Sequence, residues 1–348
     1  MNIEYPMWVW IFFFAVVLIA LFVDIGIVNR KAHAPTRRET ISWSIVWVSI
    51  ALLFDVFIYW VASTYYNSAT GLFKAKEFFT GYLIELSLSV DNLFVFLLIF
   101  SYFKVPKKYQ HRVLFWGIVG ALGMRMIMIF AGAELVERFH WILYLFGVFL
   151  IYTGIKMFSG DDEGFNPEES RIVSFVTRFI PFSKNYDEDK FLIVQDGKRI
   201  GTLLLLVLIV VELSDLVFAV DSIPAIFGIT TDKFIVYTSN IFAILGLRTF
   251  FFLLADMAEK FHLLKYGLAF VLSFIGVKML LPLLAEGLTE VLGEGNNSAL
   301  ASFLQGYLHH DFKQMEINIS LGVVVGAIAL SIILSLIFPP AKVAEEVV

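Results

Sequence analysis

Two acidic stretches decide how this chain folds: Glu85-Leu-Ser-Leu-Ser-Val-Asp91-Asn92 and Glu212-Leu-Ser-Asp215-Leu-Val-Phe-Ala-Val-Asp221-Ser222. Each lies inside a long apolar run, and an ionised side chain at the centre of a bilayer costs roughly 2.5–3.5 kcal/mol or more. Acids at such depth face the interior of a helix bundle or a water-filled pathway. The two stretches therefore predict a membrane protein that uses buried carboxylates.

The composition supports a membrane protein. Of 348 residues, 59% are hydrophobic and only 16% are charged, whereas globular proteins average about 45–50% apolar and about 25% charged residues. The chain contains no Cys, which excludes disulfides, thiolate metal sites, Cys nucleophiles and thiol redox chemistry. A net charge of −5 without a basic tail argues against nucleic acid as a partner.

Nine stretches are long and apolar enough to cross a bilayer. The sequence therefore predicts an all-α, polytopic protein with about nine transmembrane helices. The predicted spans are 7–28, 41–63, 77–103, 111–132, 139–158, 201–227, 233–255, 262–284 and 319–338.

The positions of Lys and Arg predict the orientation. The first, third and fifth loops, at about 30–38, 104–112 and 159–200, hold most of these residues. By the positive-inside rule, these loops are cytoplasmic, the N-terminus lies outside and the C-terminus is cytoplasmic. The chain starts without the positive region of a signal peptide, so the first apolar run is interpreted as a retained helix of a protein in the bacterial cytoplasmic (inner) membrane.

An internal repeat relates helices three to five to helices six to eight. Gly154-Ile-Lys-Met157 recurs as Gly276-Val-Lys-Met279, 122 residues later, and the two acidic stretches are offset by 130. Leu122-Gly-Met-Arg125 recurs as Leu245-Gly-Leu-Arg248. Three crossings is an odd number, so the second copy enters the membrane upside down. Such inverted repeats are typical of secondary transporters, although a purely structural duplication is the alternative.

These patterns divide the chain into six parts. In the fifth loop, Asp196-Gly197 between two apolar segments predicts a hairpin. The predicted parts are two N-terminal helices (1–76), the first repeat (77–158), a cytoplasmic loop with the hairpin (159–200), the second repeat (201–284), an external acidic loop (285–318), and a final helix with a cytoplasmic tail (319–348).

Deep inside the predicted spans lie seven acids and two arginines, an excess of five negative charges that would attract cations. The alternative for each acid is an ion pair or a protonated carboxyl in helix packing. Hard oxygen ligands suit Mn²⁺, Mg²⁺ or Ca²⁺. The candidate metal ligands are Glu85, Asp91, Asn92, Glu212, Asp215, Asp221 and Ser222; the candidate counter-ions are Arg125 and Arg248; the accessory candidates are Asp24, Asp55, Asn240 and Met124.

Pro224 predicts an interruption of the sixth span. Its ring nitrogen cannot donate a hydrogen bond to the carbonyl of Val220, next to Asp221. We therefore expect a kinked or unwound segment near 218–224, which would expose carbonyl oxygens to a cation.

The acidic stretches, together with the Gly-x-Arg elements at 123–125 and 246–248, resemble those of the TerC family. The order and length of the chain are most similar to the Alx branch of that family. The resemblance covers about residues 1–285. It implies a bacterial inner-membrane protein of a family named for tellurite resistance, whose members are associated with manganese export and with metalation of exported enzymes.

The expected function is therefore a secondary transporter that exports Mn²⁺ by alternating access, with H⁺ as a coupling ion and no permanently bound cofactor. The sequence contains no His-Glu-x-x-His, Gly-x-Ser-x-Gly or Gly-x-Gly-Asp motif, so an enzyme is not expected. Two alternatives stay open: a membrane scaffold in a tellurite or envelope stress response, and a cation channel. The sequence does not indicate which protein partners it has.

Overall fold

A computed structural model describes residues 3–26, 36–159, 182–183, 186–187, 190–195, 198–255, 263–292 and 312–338. These residues are mostly helical. The helices are α1 (Met7–Gly26), α2 (Arg37–Tyr65), α3 (Ser68–Tyr102), α4 (Lys107–Arg138), α5 (Ile142–Ser159), α6 (Leu203–Phe227), α7 (Lys233–Leu245), α8 (Leu247–Ala255), α9 (Leu264–Leu292) and α10 (Phe312–Ile337). The two strands are β1 (Leu192–Gln195) and β2 (Lys198–Gly201).

Several helices are long and apolar enough to cross a membrane, which confirms the predicted class of helical, polytopic membrane protein. Within the described ranges, the five segments that meet this condition are Arg38–Tyr65, Lys107–Arg138, Leu203–Phe227, Leu264–Leu283 and Ile317–Ile337. Shorter apolar segments are Met7–Val23, Ile142–Phe158 and Lys233–Leu245. The count of nine crossings and the inverted relation of the two repeats stay predictions.

The helix interruption lies elsewhere than predicted. Helix α6 is continuous with Pro224 inside it, so the segment near 218–224 is not unwound, and the alternative of a kink there stays a prediction. Pro224 lies in the last turn, where its carbonyl accepts from the Gly228 N–H at 3.0 Å, so the helix continues past the proline to its C-terminal end. The predicted seventh span is instead divided at Gly246 into α7 and α8.

Other helix ends extend past the predicted spans. Helix α3 begins at Ser68, capped by the Asn67 side chain, which accepts from the Thr70 N–H at 2.8 Å. Helix α9 continues to Leu292 and α10 begins at Phe312, so the predicted external loop at 285–318 is helical at both of its ends. The remainder of that loop, at 293–311, lies outside the described residues.

Helix α3 occupies the centre of the bundle and contacts α2, α6, α7 and α10, while α4 packs on α6 and α5 packs on α9. Buried aromatic rings hold the first helices against α7. For example, the Phe54 and Phe242 rings lie 4.5 Å apart between centroids. This arrangement brings the acidic stretches of α3 and α6 into the interior.

Helices α5 and α9 approach each other closely at small residues. A Cβ on Gly276 would lie 2.5 Å from the Gly147 carbonyl oxygen, and a Cβ on Gly154 would lie 2.7 Å from that of Ala269. Any larger side chain at either glycine would push the two backbones apart. The partner residues run in opposite directions along the two helices, so the helices cross antiparallel.

The predicted hairpin is present before α6. Strands β1 and β2 pair antiparallel with Gln195 opposite Lys198, while the predicted turn residues Asp196 and Gly197 lie outside the described residues. The Tyr186 hydroxyl donates to the Phe103 carbonyl at 2.7 Å, and burial raises the pKa of Tyr186 to about 12. This hydrogen bond ties the segment to the end of α3.

Candidate ion-binding site

Arg125 lies at the centre of a buried polar cluster that joins four helices. Its side chain on α4 is only 1% exposed. The guanidinium donates from Nε to Asp215 Oδ2 at 3.2 Å and from Nη2 to Asp215 Oδ1 at 3.1 Å, in a two-bond fork with α6. Its Nη1 donates to Asn240 Oδ1 of α7 at 3.3 Å and forms an ion pair with Glu85 Oε1 of α3.

The cluster carries unbalanced charge. Glu85 and Asp215 are 1% and 2% exposed, so both carboxylates are shielded from solvent. Two carboxylates and one guanidinium leave one formal negative charge, and the second carboxylate oxygen of Glu85 has no hydrogen-bond partner among the described residues. Buried charges are stable only when they are paired, so this arrangement depends on Arg125 and favours an additional cation.

Glu212 adds a third carboxylate to the same region. It lies one helical turn before Asp215 and packs against Gly120 of α4, where a Cβ would overlap the carboxylate. Its Oε2 atom is buried and has no hydrogen-bond partner in the described part of the chain. Gly120 is therefore the residue that gives Glu212 its place beside α4.

Glu212 and Asp215 line a small cavity of about 10 Å³. The other walls are apolar and come mainly from α3 and α4, including Phe96, Leu114 and Gly117. A space of this size accommodates about one water-sized particle. The carboxylates therefore face a confined space inside the bundle.

Buried hydroxyl and amide groups continue the polar surface along α3 and α6. Ser89 and Asn92 follow Glu85 by four and seven residues, and Ser222 follows Asp215 by seven, spacings that place them on the same helix faces. All three are buried. Within the described ranges, the hydroxyls of Ser89 and Ser222 have no hydrogen-bond partner.

The structure brings together part of the predicted site. Glu85, Arg125, Asp215 and Asn240 are in contact, and Glu212 adjoins them. Asp55 of α2 has a buried Oδ1 without a hydrogen-bond partner in the described part, and Met124 is half-buried. The side chains of Asp24, Asp91, Asp221 and Arg248 lie outside the described residues. Among the described side chains, no three His, Asp or Glu are arranged to hold a metal ion.

Sequence reasoning missed Ser89 and Gly120. The spacing of Ser89 from Glu85 was a usable signal, because residues four apart share a helix face. Gly120 had no comparable signal. Only the packing of α4 against α6 indicates what a side chain there would meet.

A second buried ion cluster was also missed. Lys74 of α3, 1% exposed, lies 2.8 Å from Glu77 Oε2 and 2.8 Å from Asp232 Oδ2. Asp232 also caps α7, since its Oδ1 accepts from the backbone N–H of Phe234 at 3.1 Å. The sequence placed Lys74 and Asp232 in loops, where charged residues are normally solvated.

The sequence has clear relatives. A family model described as the integral membrane protein TerC family matches residues 70–342. An uncharacterised membrane protein of Myxococcus xanthus is 46% identical over 328 residues, which are 94% of this chain and 92% of that protein. A protein of Escherichia coli strain K12, named provisionally as the membrane-bound redox modulator Alx, is 43% identical over 327 residues, 94% of this chain and 93% of that protein. No solved structure matches the chain.

Proposed function

Because the chain belongs to the TerC family of integral membrane proteins, we propose that it is a secondary transporter that exports divalent cations, foremost Mn²⁺, across the bacterial cytoplasmic membrane. The observation that carries the proposal is the position of Arg125 between Glu85 and Asp215. These two acids occupy equivalent places in the two sequence repeats. A single internal cation thus pairs with both acids and leaves one formal negative charge between them.

When no ion is bound, the Arg125 guanidinium occupies the place that the transported ion would take between the carboxylates. The carboxylates of Glu85, Asp215 and Glu212, with the hydroxyls of Ser89 and Ser222, offer the hard oxygen ligands that Mn²⁺, Mg²⁺ and Ca²⁺ accept. An entering ion competes with the guanidinium for these oxygens and releases it toward Asn240. When the ion leaves, Arg125 returns and restores the paired state. Asp91 and Asp221, from the same two stretches, complete the proposed ligand set.

Coupling to H⁺ follows from the same charge balance. A site with an excess of carboxylates holds a divalent ion too tightly to release it unless some carboxylate is neutralised. Arg125 provides part of that neutralisation, and a proton on Glu212 or Glu85 provides the rest. We therefore include H⁺ antiport in the proposal.

The crossing of α5 and α9 supports an inverted repeat. With the 122-residue offset, Gly147 corresponds to Ala269 and Gly154 to Gly276. The contact between Gly147 and Gly276 therefore becomes, on exchange of the two copies, the contact between Ala269 and Gly154, and both contacts exist. Equivalent helices that pack antiparallel through exchanged contacts are related by a two-fold axis across the helices. In a membrane, such an axis lies in the bilayer plane, as in transporters that rock one half against the other.

The name of the Escherichia coli relative points to redox modulation. This chain has no Cys, so it has no thiol of its own for such chemistry. The buried charges fit cation movement more directly than redox chemistry. The proposed transporter has its N-terminus outside and its C-terminus in the cytoplasm, and it uses no permanently bound cofactor and no enzymatic step. A scaffold or a channel is distinguished from a carrier by the experiment below.

The test is ion flux by the purified protein in proteoliposomes. We expect Mn²⁺ uptake that is inhibited by competing divalent cations according to their affinity and accelerated by an opposing H⁺ gradient. Flux that ignores the H⁺ gradient and saturates only at very high Mn²⁺ would indicate a channel. No flux from folded, monodisperse protein would contradict transport and favour a scaffold, which a search for bound partner proteins would then address.

A further inference from the structure

Buried polar residues continue from the Arg125 cluster along the seam between α3 and α7. On α3, Thr80 and Glu77 lie on the side of Glu85 toward the helix start; on α7, Ser239 and Asp232 lie on the corresponding side of Asn240. All of them are buried. Glu77 and Glu85 are eight residues apart, about 12 Å along the helix. A line of buried polar side chains therefore accompanies the apolar contacts, such as Phe78 with Phe242, from the centre of the bundle to the end where α3 and α7 begin.

Small residues keep the two helices close along this seam. A Cβ on Gly81 of α3 would lie 2.2 Å from Ile226 Cδ1 of α6 and 3.0 Å from the Ser239 hydroxyl oxygen of α7. The hydroxyl of Ser239 donates to the Ile235 carbonyl of its own helix at 2.7 Å, and no bond from it to α3 is found among the described residues. Separation of α3 from α7 would thus expose polar atoms without breaking a hydrogen bond of Ser239.

At its outer end, the seam is crossed by the ion pair of Lys74 with Asp232 and by a hydrogen bond of the Glu77 carboxylate with the Thr230 side chain. Glu77, the other partner of Lys74, lies on the same helix, three residues away. When α7 moves away from α3, Lys74 loses Asp232 and keeps Glu77. The Lys74 charge therefore stays paired during the movement, so the contact can open and close without leaving an unpaired buried cation.

The opposite end of the bundle has no copy of this cluster. With the 130-residue offset, Lys74 and Glu77 correspond to Leu204 and Val207 of α6, both buried and apolar. With the 123-residue offset, Asp232 corresponds to Tyr109 of α4. An ion cluster that only stabilised the repeated packing would not need to be confined to one end.

We propose that the α3–α7 seam is the external half of the ion pathway and that the Lys74–Asp232 ion pair is the gate that closes it. Lys74 is a positioning residue, which holds α7 against α3 until the gate opens. This inference rests on the proposed transport function and on the predicted orientation, in which α3 and α7 begin on the external side.

The absence of Cys in the chain makes the gate directly measurable. Ser239→Cys places one nearly isosteric thiol in the buried seam. Right-side-out vesicles are treated with a charged, membrane-impermeant methanethiosulfonate reagent, and the rate of labelling is measured. Asp232→Asn, combined with Ser239→Cys, removes the ion pair across the seam, while the amide oxygen preserves the helix cap.

We expect Asp232→Asn to increase the labelling rate by about tenfold, because hydrogen bonds to charged partners are among the stronger ones. The matched control is Lys233→Gln, which removes the neighbouring exposed lysine that pairs with Glu137 at 2.5 Å. It should leave the rate unchanged. Equal rates in the parent, Asp232→Asn and Lys233→Gln would overturn the gate, as would faster labelling from the cytoplasmic side alone.

A second variant guards against a folding defect. Lys74→Gln removes the cation itself and should also increase labelling, provided that the purified variant is monodisperse. Mn²⁺ flux measured in the same preparations separates the two proposals. Normal flux, with a labelling rate that does not change in Asp232→Asn or Lys74→Gln, contradicts only the gate. Faster labelling in these variants without Mn²⁺ flux in any preparation supports an opening seam but contradicts the transport function on which the gate's role depends.

Discussion

The guanidinium of Arg125 and the carboxylate of Asp215 form a two-bond fork, at 3.2 and 3.1 Å, between helices α4 and α6. In the repeat scheme, α4 belongs to the first copy and α6 to the second. The fork therefore joins the two copies directly, and Glu85 attaches to the same guanidinium. An ion that displaced Arg125 would change the contact between the copies, which links ion binding to their relative movement.

Neutralising either acid of this cluster should abolish most transport. Glu85→Gln and Asp215→Asn keep the shape of the side chain and remove the charge that a divalent cation requires. We expect Mn²⁺ flux to fall at least about tenfold in each. The control is Glu134→Gln, which changes an exposed acid that pairs with Arg138 on the surface of α4. Parental flux in both cluster variants would show that the ion takes another route.

Replacement of Arg125 should test its structural role. Arg125→Lys keeps the charge and loses the fork, because an ammonium is a single point of charge. We expect its free energy of unfolding to fall by about 1–3 kcal/mol, and that of Arg125→Met by about 3–5 kcal/mol, since the acids would be left unpaired. Denaturant unfolding in detergent micelles measures both.

The same unfolding series contains its own controls. Arg138→Lys alters an exposed arginine of α4 and should have almost no effect. The double variant Arg125→Met with Asp215→Asn should recover part of the lost stability, because one of the stranded charges is removed. If the double variant is as unstable as the sum of the two single variants, the two residues are not energetically coupled.

Gly120→Ala should disturb Glu212 specifically. The added methyl group overlaps the Glu212 carboxylate, so the acid must move away from α4. We expect lower Mn²⁺ flux and a loss of about 1–3 kcal/mol of stability. Gly123→Ala is the matched control on the same helix, since nothing lies within 4 Å of its Cβ. The proposed packing is wrong if both alanine variants behave alike.

Gly276→Ala should affect the crossing of the two repeats. Its Cβ would lie 2.5 Å from the Gly147 carbonyl oxygen, so α5 and α9 must separate. We expect slower transport with unchanged apparent affinity for Mn²⁺, because the site itself is not touched. Gly326→Ala on α10, with nothing within 4 Å of its Cβ, is the comparison. A changed affinity with an unchanged maximal rate would contradict a role in movement.

Ser89→Ala and Ser222→Ala separate binding from folding. Neither hydroxyl has a hydrogen-bond partner among the described residues, so its removal should leave stability unchanged or slightly higher. If the hydroxyls bind the ion, the Mn²⁺ concentration for half-maximal flux should rise by about tenfold or more. The control is Ser214→Ala, whose hydroxyl donates to the Val210 carbonyl at 2.8 Å. Unchanged affinity in both test variants would remove these serines from the ligand set.

Prediction from the sequence was most successful where the signal is local. The apolar runs predicted the helices, and Asp196-Gly197 predicted the hairpin between β1 and β2. The unwinding predicted near Pro224 was wrong, because one missing hydrogen-bond donor did not interrupt α6. The division at Gly246 was missed because the local sequence there resembles that around Gly123, which lies inside the continuous helix α4. Two similar local sequences thus form a continuous helix in one place and a divided helix in the other.

The sequence by itself determined that this is a helical membrane protein with acids in its apolar spans, because hydropathy and spacing act within a single helix. It also named Glu85, Arg125, Asp215 and Asn240 among the candidate residues, and the structure brings these four side chains into contact. Only the tertiary structure decided which acids share Arg125, that Gly120 makes room for Glu212, and that Lys74 is buried between Glu77 and Asp232. These are contacts between helices distant in sequence, and the energy of a buried charge depends on which partner the packing brings within reach.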